Sequence, residues 1–200
     1  MQLWLCPLLA FLLGSIPSGL LIAKAKGINI REHGSGNIGA TNVLRVVGKK
    51  YGITCLILDA LKGFIPVALA TNVIQIEGRD VQVPLDFLNQ WAMVLPASEA
   101  MLVQIVQILT ALAAVLGHNY SPWVGFKGGK GIATSAGVLL ALMPFAVGLL
   151  VILFLLVFVI SRYVSLASIV AAAALPLVTL WGSWHHGRIQ DGTWNKPLFV

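Results

Sequence analysis

Apolar positions in this chain fall into long, nearly unbroken stretches separated by short polar segments. Four of the stretches, Leu3 to Ala23, Ile53 to Ile74, Met101 to Gly117 and Val164 to Trp181, are long enough to cross a hydrocarbon core of about 30 Å as helices. A fifth, Ile132 to Ile160, is too long for one crossing, and as two crossings of about 15 residues it rises only about 22 Å each time. The pattern therefore predicts a turn near Met143, Pro144 and Phe145 and at least one short or re-entrant helix. Short, broken helices at membrane depth are tolerated where they line a cavity within the protein, so a polar cavity is expected beside the loop from Gly125 to Gly131. The expected fold is all-α, a single polytopic membrane domain over residues 1–200 with about six membrane segments. Pro197 to Val200 read as the opening of a seventh.

Composition points the same way. With 58% hydrophobic and 10% charged residues and a mean hydropathy of +0.90, the chain carries more apolar surface than one soluble core of its size could bury, so lipid must solvate much of it. The first apolar stretch has no basic residue ahead of it and is interrupted by Gly14 and by Ile16, Pro17, Ser18 and Gly19; it reads as a retained helix rather than a cleaved signal. Cys6 and Cys55 sit inside apolar stretches without metal-ligand or CxxC spacing and read as packing residues.

Charge changes the picture by fixing orientation. The net +6 is carried in short loops between spans rather than in a soluble domain, which argues for topology and against a nucleic-acid partner. If Met1 faces outward, the first inner loop holds Lys24, Lys26, Arg31, Arg45, Lys49 and Lys50. The next loop, outside, sets Glu77, Asp80, Asp86 and Glu99 against Arg79, and the loop from His118 to Gly131 returns inside with Lys127 and Lys130. This is the positive-inside arrangement; crossing twice after Gly131 also returns Arg162 to the basic side.

Two loops on that face carry candidate chemistry. From Arg31 to Arg45 the chain packs Gly34, Gly36 and Gly39 among Ser35, Asn37, Thr41 and Asn42 and ends on a guanidinium. Glycine permits turns whose consecutive N–H groups converge, and Arg45 offers a planar fork for phosphate or carboxylate. From Gly117 to Gly131, His118 and Asn119 precede Lys127, Gly128, Gly129 and Lys130, directly ahead of the helix starting at Ile132. Ammonium groups, free N–H groups and a helix N-terminus in one place suit a phosphate. The segment is not a Walker A loop, since Val124 and Gly131 occupy the positions of the required Gly and Ser/Thr and no strand precedes it.

Smaller signals remain. Asp59 and Lys62 lie at i and i+3 within a span, where they must pair or face a cavity, and a structural ion pair is the simpler reading. Ser165 and Ser168, just beyond Arg162 and Tyr163, bring small hydroxyls to the inner face, although serine in membrane helices also serves packing. His186 and Asp191 have the HxxxxD spacing used by one class of glycerolipid acyltransferase but fall in a loop assigned to the outside, away from both glycine-rich loops. No Asp, Glu, His or Cys cluster has metal-ligand spacing, so no metal and no cofactor is expected.

The strings GSGNIGATNVLR and GHNYSPWVGFKGGKGIAT resemble the two signature loops of the bacterial acyl-phosphate:glycerol-3-phosphate acyltransferase family, the PlsY-type integral membrane enzymes. The resemblance extends through GSIPSG in the first span, DALKG at Asp59 to Gly63 and RYVSLAS at Arg162 to Ser168, and so covers almost the whole chain in order. It implies seven spans, an outward N-terminus in the bacterial cytoplasmic membrane, and acyl transfer from acyl phosphate to the 1-hydroxyl of glycerol 3-phosphate, giving 1-acylglycerol 3-phosphate for phospholipid synthesis. It also implies a functional link to an enzyme that forms acyl phosphate. By motif, Ser35, Arg45, Lys130 and Ser168 match the family's substrate-site positions, with Asn37, Thr41, Asn42, His118 and Lys127 beside them. A last span and basic tail belong to the family pattern, and these 200 residues are expected to lack them.

The residues themselves suit that reaction. Acyl phosphate is an activated mixed anhydride, so an enzyme has mainly to align the attacking hydroxyl and stabilise the developing oxyanion and departing phosphate. Ser35, Arg45, His118 and Lys130 are the catalytic candidates, and Asn37, Thr41, Asn42, Lys127, Gly128, Gly129, Ser165 and Ser168 the substrate-binding ones. The general base is either His118 or a phosphate oxygen of the substrates. A transporter of organic phosphates is the rival reading, since broken helices and intramembrane charge also mark transport paths. It calls for an internal repeat, and Leu3 to Gly63 compared with Met101 to Arg162 shows no convincing one.

Overall fold

The structure is a computed structural model that describes residues 2–190, with side chains described over 3–182. It divides into two compact units, Met1–Ala141 and Leu142–Val200. Five helical segments are long and apolar enough to cross a membrane: Leu3–Lys24, Lys49–Val73, Ala97–Val124, Pro144–Ser161 and Val164–Gly182. The integral-membrane, helical fold expected from the hydropathy pattern is what forms.

In the first unit, the opening span is two helices, α1 (Gln2–Gly14) and α2 (Ser18–Lys24). They part at Ser15, Ile16 and Pro17, where proline has no N–H to continue the ladder. Helix α3 (Ala40–Val46) lies inside the first glycine-rich segment, and α4 (Lys49–Val73) follows. Along α4, Gly52, Cys55, Asp59, Lys62, Gly63, Pro66, Val67 and Ala70 are buried at spacings of about one helical turn. Ile53, Leu56, Ile57, Leu61 and Ile65 face outward, where a bilayer would solvate them. Helices α5 (Ala100–Asn119) and α6 (Ile132–Leu142) complete the unit.

Close packing between these helices depends on missing side chains. A Cβ on Gly14 would overlap the Ala114 carbonyl, and one on Gly117 would overlap the Phe11 carbonyl, so α1 and α5 approach through glycine on both sides. Gly63 and Gly137 play the same part between α4 and α6, against the carbonyls of Thr134 and Ala60. Lipid tails are as apolar as leucine, so membrane helices associate through such close van der Waals contact rather than hydrophobic exclusion from water.

Between α4 and α5 the polar connection contains a short parallel ladder, β1 (Ile74–Ile76) with β2 (Met93–Leu95). It is an addition to the all-α expectation. Ile74 and Ile76 bury against Val103 and Val106 of α5, and buried Asn72 fastens the loop through Val83 O at 2.9 Å and the Leu85 N–H at 2.7 Å. Local propensity carried no sign of it because the ladder is only three residues long and rests on a helix far along the chain.

The long apolar stretch breaks as its length required. Helix α6, at 11 residues, rises only about 16 Å, whereas α7 (Pro144–Ser161) has 18 residues, enough to cross. The break falls at Met143, with Pro144 opening α7. In the second unit, α7 packs against α8 (Val164–Gln190). The link turns on Arg162, which is left-handed at φ 61° and whose N–H caps the Phe158 carbonyl at 2.8 Å. Asp191 and the side chain of His186 lie outside the described residues.

Candidate active site

The first loop is built around one buried amide. Asn42 is 2% exposed; its Oδ1 accepts the Ser35 N–H at 3.0 Å. Its Nδ2 donates to the carbonyls of Asn37 at 2.9 Å and His33 at 3.1 Å, with Ile30 O further off at 3.4 Å. An amide nitrogen has two hydrogens, so Asn42 is fully committed to shaping the loop. Gly34 and Gly36 take left-handed conformations at φ 61° and 68°, and a Cβ on Gly34 would overlap Asn42 Oδ1. Asn37 Oδ1 accepts the Gly39 N–H at 2.8 Å, turning the chain into α3. Ser35, Thr41 and Arg45 are left exposed, and among the described residues no side-chain hydrogen bond or ion pair holds the Arg45 guanidinium.

The second loop is pinned at its base. Ser121 Oγ donates to the Ser15 carbonyl at 2.6 Å, and Trp123 Nε1 donates to Ser15 Oγ at 2.8 Å. Both bonds satisfy backbone and hydroxyl at the break in the first span. The Gly128 N–H goes to Asn119 O at 2.9 Å and the Gly129 N–H to His118 O at 3.2 Å. A Cβ on Gly128 would strike the His118 carbonyl, and one on Gly129 the His118 ring at Nε2. These two glycines thus allow the loop to lie flat on the end of α5. Beyond them, the N–H groups of Lys130 and Gly131 have no backbone acceptor among the described residues, and Lys127 and Lys130 extend exposed.

The two loops meet. Arg31 reaches across to donate to the carbonyls of Lys127 at 2.6 Å and Val124 at 3.4 Å, and Val124 packs on the cluster of Ile30, Ile38 and Val43. Gly19 of α2 lies against the Ile38 carbonyl, so the broken span supports both loops.

Beneath them lies a buried polar group. Lys62 Nζ is 2.8 Å from Asp59 Oδ1, both side chains under a tenth exposed, and donates to Ile16 O at 2.7 Å. The ion pair expected from the i, i+3 spacing is present, and its lysine also caps a carbonyl freed by the broken helix. A charge pair in this setting persists because each partner cancels the other and a second ammonium proton finds an acceptor. His118, 5% exposed, sets Nδ1 3.8 Å from Asp59 Oδ1, too far for a hydrogen bond. Cys55 Sγ sits 3.6 Å from Asp59 Oδ2.

Of the residues singled out in the sequence, Ser35, Arg45, Thr41, Lys127 and Lys130 are exposed on the joined loops, and Asn37, Gly128 and Gly129 are half-buried there. Asn42 and His118 lie buried. Ser165, exposed, and Ser168, whose Oγ is buried with no hydrogen-bond partner among the described residues, stand in the first turns of α8 in the second unit. Among the described residues no three His, Cys, Asp or Glu side chains gather as metal ligands. Sequence reasoning passed over Arg31, Ser15, Ser121 and Trp123. Arg31 stood inside the first motif, but only the fold shows where it reaches.

Helices this apolar, carrying two tied glycine-rich and basic loops, define a polytopic integral membrane protein with a concentrated cationic end. The glycerol-3-phosphate acyltransferase family matches residues 4–195. The glycerol-3-phosphate acyltransferase of Geotalea daltonii is 46% identical over 169 residues, covering 84% of this chain and 73% of that one. That of Aquifex aeolicus is 44% identical over 162 residues, covering 81% and 71%. Among solved structures, PlsY, an integral membrane glycerol 3-phosphate acyltransferase, superposes in its glycerol 3-phosphate form with a TM-score of 0.73 at 39% identity, over 91% of this chain and 78% of that one. Its lysophosphatidic acid form gives a TM-score of 0.71 at 38% identity, with the same coverage. The chain belongs to the glycerol-3-phosphate acyltransferase family.

Proposed function

We propose that this glycerol-3-phosphate acyltransferase draws its acyl group from acyl phosphate and delivers it to the 1-hydroxyl of glycerol 3-phosphate at the cytoplasmic face of a bacterial membrane. The observation that carries this is the junction of the two loops through Arg31 and Lys127, which brings cationic side chains from both to one end of the bundle. The PlsY structures in glycerol 3-phosphate and lysophosphatidic acid forms support the acceptor and product. The acyl tail lies in the bilayer while both phosphates stay at its surface.

In the reaction the hydroxyl oxygen attacks the acyl carbon, a new ester C–O bond forms, the acyl C–O bond to phosphorus breaks, and inorganic phosphate leaves. Arg45, Lys127 and Lys130 neutralise the phosphoryl groups. The Lys130 and Gly131 N–H groups, with the start of α6, add fixed dipoles where negative charge develops. Ser35, Asn37 and Thr41 orient the acceptor. The hydroxyl proton passes to a phosphate oxygen, because His118 is buried between Asp59 and Gly129 and serves by supporting the loop.

The inward orientation rests on charge. Lys24, Lys26, Arg31, Arg45, Lys49, Lys50, Lys127 and Lys130 lie in the two inner loops, while Glu77, Asp80, Asp86 and Glu99 fall in the loop between α4 and α5. The test supplies the purified chain in lipid with labelled glycerol 3-phosphate and, separately, acyl phosphate, acyl-CoA or acyl carrier protein thioester. Labelled lysophosphatidic acid from acyl phosphate alone is expected. Product from a thioester but not from acyl phosphate overturns the donor, and no product from any donor overturns the reading.

A further inference from the structure

The span from Val124 to Lys127 is a turn held mostly by long backbone bonds, Val124 N–H to Ser121 O and Gly125 N–H to Pro122 O both at 3.3 Å. Gly125 and Phe126 are both left-handed, at φ 65° and 60°. For phenylalanine that conformation crowds Cβ against the following carbonyl oxygen. The Lys127 N–H reaches Val124 O only at 3.4 Å, although Phe126 N–H finds Ser121 O at 2.9 Å. The Lys127 carbonyl is taken by Arg31.

Arg31 is well placed to be the fixed end. Its neighbour Ile30 is fully buried in the cluster with Val43 and Cys55, and Asn29 Oδ1 accepts the Arg31 N–H at 3.4 Å while its Nδ2 bonds Glu32 at 2.6 Å. The side chain leaves this anchored turn and places one terminal nitrogen, Nη2, against two carbonyls that flank the left-handed pair, Lys127 at 2.6 Å and, more weakly, Val124 at 3.4 Å. The rigid, planar guanidinium fixes the direction of the Nη2 hydrogens, which a lysine ammonium on a flexible stem does less precisely.

We propose that Arg31 is a positioning residue, whose clasp on the Val124 and Lys127 carbonyls sets the spacing between the Ser35–Arg45 loop and the Lys127–Lys130 loop. The proposal rests on the acyl-transfer reading above. The Nη2 hydrogens of Arg31 are committed to protein carbonyls, so its removal frees the two loops to shift relative to each other. Displacement of reacting groups by about 1 Å costs up to about 100-fold in rate.

The experiment measures kcat, both substrate KM values and thermal unfolding for Arg31→Ala and Arg31→Lys in lipid, with acyl phosphate as donor. The expected result for Arg31→Ala is a kcat lower by about 10- to 100-fold, with each KM within about threefold of the parent and the unfolding temperature little changed. Added guanidinium ion restores part of the lost kcat and leaves the parent chain unaffected. Arg31→Lys, which keeps the charge without the planar guanidinium, falls between the two, and it carries the test should Arg31→Ala fold poorly. A rise in one KM at unchanged kcat overturns the proposal, since Arg31 would then be a direct phosphate ligand. Unchanged constants, or a loss of unfolding temperature that accounts for the lost activity in both variants, also overturn it. A parent chain inactive with every donor ends the acyl-transfer reading and this one together; an active parent with indifferent variants ends this one alone.

Discussion

Gly129 stands against the imidazole of His118: its N–H donates to the His118 carbonyl at 3.2 Å, and a methyl group on its Cα would overlap Nε2. His118 cannot readily retreat, because its other ring nitrogen faces Asp59 at 3.8 Å and the side chain is 5% exposed. Gly129→Ala must therefore displace the loop that carries Lys130. The expected loss in kcat/KM is about 10- to 100-fold. Gly125→Ala is the contrasting change: φ is 65° but nothing lies within 4 Å, so it costs about 1 kcal/mol of stability and leaves activity largely intact. Steady-state kinetics and thermal unfolding of the two variants separate the effects.

Lys62 holds two groups at once, the Asp59 carboxylate and the Ile16 carbonyl of the broken span. Lys62→Met leaves a buried carboxylate uncompensated, a loss of about 3–5 kcal/mol. Neutralising both partners in Asp59→Asn/Lys62→Met removes the unpaired charge. The double variant is expected to unfold at a higher temperature than Lys62→Met alone. An equal or lower temperature contradicts the pairing.

Asn42 and Arg45 sit three positions apart in α3 and are expected to fail in different ways. Asn42→Ala strips the Ser35 N–H and the Asn37 and His33 carbonyls of their partner, a loss of about 1–3 kcal/mol, and lowers unfolding temperature and activity together. Arg45→Ala removes an exposed side chain and is expected to abolish most activity while thermal unfolding stays near that of the parent chain.

The contact of α6 with α4 rests on Gly63 and Gly137. Gly137→Val puts a branched side chain into the Ala60 carbonyl, and overpacking of this kind costs about 1–3 kcal/mol or more. Gly148 in α7 has open space around it, so Gly148→Ala is expected to be neutral or to stabilise by up to about 1 kcal/mol. Unfolding in detergent, followed for both variants, tests whether α6 is seated as described.

Much of this was legible in the sequence because hydropathy and helix breakers act locally. The breaks at Ile16–Pro17 and Met143–Pro144 follow from proline and segment length, and the Asp59–Lys62 pair follows from i, i+3 spacing in an apolar span. Family membership was carried by the two glycine-rich strings. Relations set by tertiary approach were hidden. Nothing in the motif showed that Arg31 reaches the Lys127 carbonyl 96 residues away, that Gly128 and Gly129 exist to clear His118, or that Ser121 and Trp123 secure the gap at Ser15. Asn42 and His118 stand in polar strings like the other candidates, and only the fold shows that both are buried.

If both cationic loops form one phosphate-holding site on the cytoplasmic side, as proposed, Arg45 and Lys130 share that side of the membrane. Single-cysteine variants at Arg45 and Lys130, probed with a membrane-impermeant maleimide in sealed vesicles of either orientation, test it most directly. Both positions are expected to label in inverted vesicles and to be protected in right-side-out ones. Labelling of Arg45→Cys and Lys130→Cys from opposite sides would contradict a shared site outright, and labelling of both only in right-side-out vesicles would turn the catalytic end outward.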